Sequence, residues 1–245
     1  HMPDYKMTET EQAPDGEHAP LFPYGYGLSY NQEVSNELGI DVNAITLDER
    51  NYGCGVDAPD TSIASEPLEL FGATAEGEFV PFISGTATNW EGVKVSKGTL
   101  TEITSVSTTP IDYIHQQDGL RVEFNGISPA QLYLASADGD VFDVQRYLNS
   151  NGVLEFDIDL KSPKPSRLAL ALHCQWPCVG EVSLTELLPD PSSEEVSNWT
   201  TIRVPLERFA EAGMDFTNMS TPFLIYTEEP VTFKLGRVRF VPSRN

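Results

Sequence analysis

The chain has 245 residues, and its 37 Asp and Glu against 15 Lys and Arg leave a formal charge of −22 at pH 7. That charge argues against polyanionic partners such as nucleic acid or anionic lipid, while neutral partners stay open. No apolar run reaches the length a membrane-spanning helix needs, and the size suits one large domain or two small ones.

His1 and Met2 read as what a cleaved affinity tag leaves behind. Residues 3–18 are polar, proline-bearing and without periodicity, as a connecting segment is. In residues 19–30, APLFPYGYGLSY, Pro20, Pro23, Gly25 and Gly27 oppose a helix interior. Phe22, Tyr24, Tyr26 and Tyr30 offer large apolar faces there, which predicts a docking segment. From Asn31 to Pro67 isolated apolar residues mix with Gly, Pro and Asp. So long an irregular stretch is foreign to a compact domain, and it reads as an arm laid along a neighbour through Leu38, Ile40, Val42, Ile45 and Leu47.

From Leu68 onward, short alternating runs separated by turn residues predict an all-β domain over residues 68–245. In VLEFDIDL, Leu154, Phe156, Ile158 and Leu160 share one face of a half-buried strand, and Glu155, Asp157 and Asp159 share the other. LRVEF, RLALALH and WTTIRVPL carry the same alternation. In VTFKLGRVRF the apolar phase slips at Gly236, which predicts a β-bulge. Only ERFAEAGM has a helical look, ELLPDPSSEEVSN over residues 186–198 reads as mobile acidic surface, and the whole favours a jelly-roll β-sandwich. Of three cysteines Cys54 stands alone, whereas Cys174 and Cys178 bracket Gln175, Trp176 and Pro177. These two are candidates for a disulfide, which would imply an oxidising compartment; two reduced thiols are the alternative.

PLFPYGYGLSY closely resembles the segment that closes the second, α/β sandwich domain of the catalytic core in glycoside hydrolase family 3. The succession VLEFDIDL, LALALHC, WTTIRVPLERFAEAG and TPFLIYTEEPVTFKLGRVRF is similar to the carbohydrate-binding-type sandwiches at the C-terminus of some bacterial family 3 enzymes, most like the exo-1,3/1,4-β-glucanases. The resemblance implies a secreted or periplasmic bacterial setting. It also implies that residues 3–67 join the end of a catalytic core to an accessory sandwich, and that the partners are the catalytic domains of the same enzyme and β-glucan or an oligosaccharide.

A retaining glycosidase needs two carboxyl groups at close spacing. The resemblance puts the family's nucleophile and acid/base in segments upstream of this chain, and no G-x-S-x-G, phosphate-binding glycine loop or HExxH is present. No catalytic residue is assigned, and the fragment is expected not to be an enzyme by itself. Sugar contact calls for aromatic faces with amides and carboxylates beside them. Trp176 is the first candidate, with His173 and Gln175 beside it; Trp90 is another, although a plug at the end of the sandwich is the stronger reading for it, and Trp199 is expected to be buried. Asp138, Asp140 and Asp143 have the oxygen-rich spacing of a structural calcium loop, whose alternative is a solvated turn, and no other cofactor is expected. Three roles follow: an accessory domain docked on the catalytic core near its substrate pocket, an independent β-glucan-binding module, or a spacer.

Overall fold

The computed structural model describes residues 61–243 apart from 74, 76 and 176. Phe22, Tyr24, Tyr26, Tyr30, Cys54 and Trp176 therefore lie outside the described residues, as does most of the expected arm. Thirteen strands follow in chain order: β1 Leu68–Phe71, β2 Phe79–Gly85, β3 Val93–Lys94, β4 Thr101–Glu102, β5 Val106–Ile111, β6 Gly119–Phe124, β7 Ala130–Ser136, β8 Val153–Leu160, β9 Ala169–Cys174, β10 Val179–Ser183, β11 Thr200–Pro205, β12 Met219–Thr227 and β13 Val231–Val241. They form two antiparallel sheets. The seven-stranded sheet runs β11-β8-β13-β6-β5-β4 with β1 also paired to β13, and the six-stranded sheet runs β10-β9-β12-β7-β2-β3. The all-β jelly-roll sandwich expected from the alternation is what the chain forms.

Two-residue alternation explains the packing. Leu154, Phe156, Ile158 and Leu160 of β8 are inaccessible and face Phe223, Ile225, Leu132 and Leu134 from the other sheet across one continuous core. Phe156 meets Phe223 edge-on at 5.3 Å between ring centroids. Burying each such side chain contributes about 1.5–3 kcal/mol. The expected phase slip in β13 is present: register against β8 shifts between Leu235 and Val238, around Gly236. A Cβ at Gly236 would press into the Tyr113 ring, so the bulge residue has to be this small. The ERFAEAGM helix is the short turn Glu207–Glu211, and a second short helix, Gln145–Asn149, has no counterpart in the sequence reading.

The outer face of the seven-stranded sheet departs from the half-buried strand expected for β8. Glu155, Asp157 and Asp159 point away from the core, yet they are almost inaccessible. Glu155 receives charge-assisted bonds from Arg203 Nε at 2.7 Å and Arg239 Nε at 2.8 Å. Burial opposes ionisation of Glu155, but these two guanidiniums outweigh it and hold its carboxyl below the usual range. Asp157 accepts from the Tyr113 hydroxyl at 2.8 Å and from Thr201, with Arg237 3.4 Å away. Asp159 pairs with Lys161 at 2.7 Å and accepts from Ser192 Oγ. Lys161 in turn donates to Ser192 Oγ and to the carbonyls of Ser193 and Val196. The 186–198 segment, expected to be mobile surface, is thus tied to the sheet, and its Leu188 is buried. Trp199, expected to be buried, is half-exposed and packs on Tyr113 at 4.4 Å over this same face.

Candidate functional site

The solvent face of the six-stranded sheet is built from the opposite phase of each strand. In β7, Leu132 and Leu134 enter the core, so Gln131 and Tyr133 point out. In β2, Ile83 enters the core and Phe82 and Ser84 point out; in β12, Phe223 and Ile225 enter, leaving Leu224 and Tyr226 outside. Register then aligns these side chains across strands. Phe82 lies opposite Tyr133, Tyr133 opposite Leu224, Leu224 opposite Ala171, and Ala171 opposite Glu181. A second row runs Ser84, Gln131, Tyr226, Ala169, Ser183.

Four aromatic rings occupy this face. Phe82 and Tyr133 stack with centroids 5.3 Å apart, and Trp90 leans over Tyr226 at 6.1 Å. Between the rings and the β10 edge the outward residues are small or overhung, with Ala169 and Ala171 each 2% exposed and Leu224 3%. Trp90 itself is 42% exposed, which corrects its reading as a plug at the end of the sandwich. Its placement comes from the turn after β2. Trp90 N donates to Gly85 O at 2.9 Å, Glu91 N to Thr88 O at 3.0 Å, and Thr88 Oγ1 to Gly85 O at 2.9 Å. These bonds hold Asn89 at φ 51° and Trp90 at φ 66°, a left-handed conformation that a bulky residue adopts only when its surroundings impose it. Gly92 completes the turn, because a Cβ there would overlap the Tyr133 hydroxyl.

The polar groups around the rings are uncharged or paired, apart from the exposed Lys94, which stands opposite Phe82 on the edge strand β3. Burial and the 2.6 Å bond to Glu228 push the Tyr226 phenol up to about 12. Burial also raises the Tyr133 phenol and lowers His173, whose imidazole is drawn back only in part by Glu181. Arg167 lies 5.9 Å from the Tyr226 ring centroid and 3.6 Å from Glu181. The Tyr133 hydroxyl and the His173 ring have no hydrogen-bond partner among the described residues. Near neutral pH, then, this face offers apolar rings, neutral hydroxyl and imidazole groups, and the Gln131 amide. That combination can stack on and bond a neutral polyhydroxylated ligand.

Of the residues singled out in the sequence, the structure brings His173 and Trp90 to this one face, and Gln175 is exposed just beyond β9. Cys174 and Cys178 form a disulfide with Cα atoms 5.1 Å apart, which closes the loop at the end of β9. Asp138, Asp140 and Asp143 are exposed, and no group of three or more His, Cys, Asp or Glu among the described residues could hold a metal ion. Sequence reasoning missed Phe82, Tyr133 and Tyr226. A usable signal was present: in AQLYLAS and FLIYT a large aromatic stands in the phase opposite the core leucines and isoleucines.

Comparison with known proteins agrees with this architecture. A family described as galactose-binding domain-like, Exop_C, matches residues 83–240, well over half of the chain. The crystal structure of the extra C-terminal domain (X) of the exo-1,3/1,4-β-glucanase ExoP from a Pseudoalteromonas species is similar, with 17% identity and a TM-score of 0.54 over 74% of this chain and 94% of that one. The whole ExoP enzyme aligns at 18% identity and a TM-score of 0.55 over 95% of this chain, which spans 25% of the enzyme's length. The family 30 carbohydrate-binding module of the Clostridium thermocellum cellulosomal cellulase Cel9D-Cel44B is 14% identical, with a TM-score of 0.53 over 73% of this chain and 99% of the module. No curated protein sequence matches significantly. The match over residues 83–240 places the chain in the galactose-binding domain-like Exop_C family.

Proposed function

We propose that residues 61–243 are a non-catalytic, β-glucan-binding accessory domain of a secreted or periplasmic family 3 exo-β-glucanase whose catalytic residues lie outside this chain. One observation carries this reading. Four aromatic side chains, Phe82, Tyr133, Tyr226 and Trp90, stand outward on one sheet, with neutral hydrogen-bonding groups between them. Aromatic faces stack on the C–H side of a pyranose, and water-facing hydroxyl, amide and imidazole groups replace the solvent bonds of its hydroxyls. The Cys174–Cys178 disulfide supports an oxidising compartment.

Affinity electrophoresis of the full chain in gels containing mixed-linkage β-glucan tests the reading. Retardation is expected, and both Trp90→Ala and Tyr226→Ala should abolish it while leaving mobility in plain gels unchanged. Equal migration of the parent chain with and without glucan would overturn it.

A second role has separate support, the PLFPYGYGLSY segment that resembles the close of a family 3 catalytic core. In the parent enzyme the sandwich would then be docked beside the catalytic domains and border the substrate pocket. Removing residues 68–245 from that enzyme should lower its activity on soluble oligosaccharides, and unchanged kinetics would exclude the docked role.

A further inference from the structure

The aromatic face does not run open to the β10 edge. Ala169 and Ala171 of β9 point outward with no side-chain atom beyond Cβ, and Leu224 of β12 stands opposite Ala171. Such a strip on a sheet face would be wet if nothing lay over it, yet the three residues are only 2%, 2% and 3% exposed. The Arg167 guanidinium accounts for part of the cover. It lies 5.9 Å from the ring centroid of Tyr226, on β12, and 3.6 Å from the carboxylate of Glu181, on β10. Those strands are the two neighbours of β9, so a group within reach of both stands above β9 itself.

This cover is a weak contact between side chains on a firmly held backbone. Arg167 N donates to Glu229 Oε1 at 3.0 Å, Thr227 Oγ1 donates to Arg167 O at 3.1 Å, and the adjoining Leu168 is in the core. Glu181 is fixed by the pairing of β10 with β9, opposite Ala171. The side chains themselves are 64% exposed at Arg167 and 49% at Glu181. An ion pair so well solvated contributes little and is screened by salt, and a cation near the outer limit of ring contact adds only a small attraction. Rotation of two side chains therefore opens the cover without moving the sheet. Beneath it the strip is continuous with the rings, because Ala171 follows Leu224 and Tyr133 in one row and Ala169 follows Tyr226 in the next.

We propose that Arg167 and Glu181 form an ionic strap over an additional sugar subsite on β9, which opens only to a saccharide long enough to reach past the aromatic rings. The inference rests on the glucan-binding reading and adds to it a selection by chain length. With the strap open, the C–H face of a pyranose settles on Ala169, Ala171 and Leu224, and the freed guanidinium donates to its hydroxyls. A disaccharide held by the rings leaves the strap closed. Opening separates two opposite charges, so the binding of a neutral saccharide acquires a salt dependence: salt screens the strap and strengthens binding.

The test is an NMR titration of the full 245-residue chain with cellohexaose and with cellobiose, each at low and at high sodium chloride. High salt should tighten cellohexaose binding by about twofold to fivefold and leave cellobiose nearly unchanged. Glu181→Gln keeps the size of an exposed side chain, so it should fold normally, tighten cellohexaose binding by a similar factor at low salt and remove the salt effect. Glu102→Gln, the same change of charge at an exposed position on the other sheet, should do neither. In the ligand-free chain, salt and Glu181→Gln should shift the same amides, those of residues 167–171 and 179–183. Cellohexaose binding indifferent to salt and to Glu181→Gln, or an equal gain for cellobiose, would overturn the strap. No binding of either saccharide while the ligand-free shifts persist would instead be a failure of the glucan reading, and would remove the subsite with it.

Discussion

The two sheets of this sandwich present opposite kinds of outer face. On the seven-stranded sheet the outward positions of β8 are carboxylates, each matched by a cation or hydroxyl from β11, β13 or a connecting loop and roofed by Tyr113 and Trp199. On the six-stranded sheet the outward positions are mostly rings and neutral polar groups, with Lys94 and Glu181 on the two edge strands, and the Tyr133 hydroxyl and His173 have no partner within the described residues. Both faces follow from the same alternation. What separates them is where their bonding capacity is directed: one face satisfies most of it internally, leaving over only single atoms such as Glu69 Oε2 and Arg237 Nε among the described residues, and serves stability, while the other has it left for a ligand.

Breaking the first face should give the largest effect. Glu155 is 1% exposed and sits among Arg203, Arg237 and Arg239. Glu155→Ala leaves three guanidiniums crowded over a buried gap, a change expected to cost about 3–5 kcal/mol in urea unfolding. Retardation by glucan, measured on the folded fraction, should not change. A loss of stability below about 1 kcal/mol, within the range of exposed ion pairs, would show that the row is not the stabilising element drawn here.

The second face should break differently. In Gly92→Ala the new methyl group displaces the Tyr133 hydroxyl and pushes the ring off Phe82, or lifts the turn that carries Trp90. Overpacking of this kind is expected to cost about 1–3 kcal/mol. Glucan retardation should fall far more than stability does, in contrast to Glu155→Ala. If the variant loses stability and keeps full retardation, the turn does not position the binding surface.

Much of this contrast is hidden from sequence for a physical reason. The core alternation of β8, the bulge in β13 and the cysteine pair are local patterns, and each is present as read. The partners of Glu155 are distant in the chain, Arg203 on β11 and Arg239 on β13, so VLEFDIDL by itself suggests only a solvated edge of acids. Tyr133, Phe82 and Tyr226 become neighbours only through the register of β2, β7 and β12. Trp90 is illegible for another reason: Asn89 is a residue that tolerates the left-handed region, but nothing in the local sequence requires the bulky Trp after it to adopt the same conformation and swing its ring outward. Asp138, Asp140 and Asp143 show the converse: suggestive spacing that the fold does not gather into a site.

The smallest expected effect is a pH dependence that distinguishes the faces without removing a large group. Burial holds His173 below its usual value of 6.5. Between its folded value and 6.5 the unfolded chain therefore binds more protons, so the stability associated with neutral His173 is complete above that range and is lost as pH falls through the folded value. Glu155 follows the same sign at lower pH: its contribution is complete above the unfolded carboxylate value and disappears as pH falls through its depressed folded one. Melting temperatures taken at intervals from about pH 7 down to about pH 2, well below the ordinary carboxylate range, should thus decline in two stages. His173→Gln should flatten the upper stage and leave the lower one, because Gln carries no proton equilibrium and stands on the other sheet from Glu155. An upper stage that survives the substitution would assign that titration elsewhere and remove His173 from the set of neutral groups on the aromatic face.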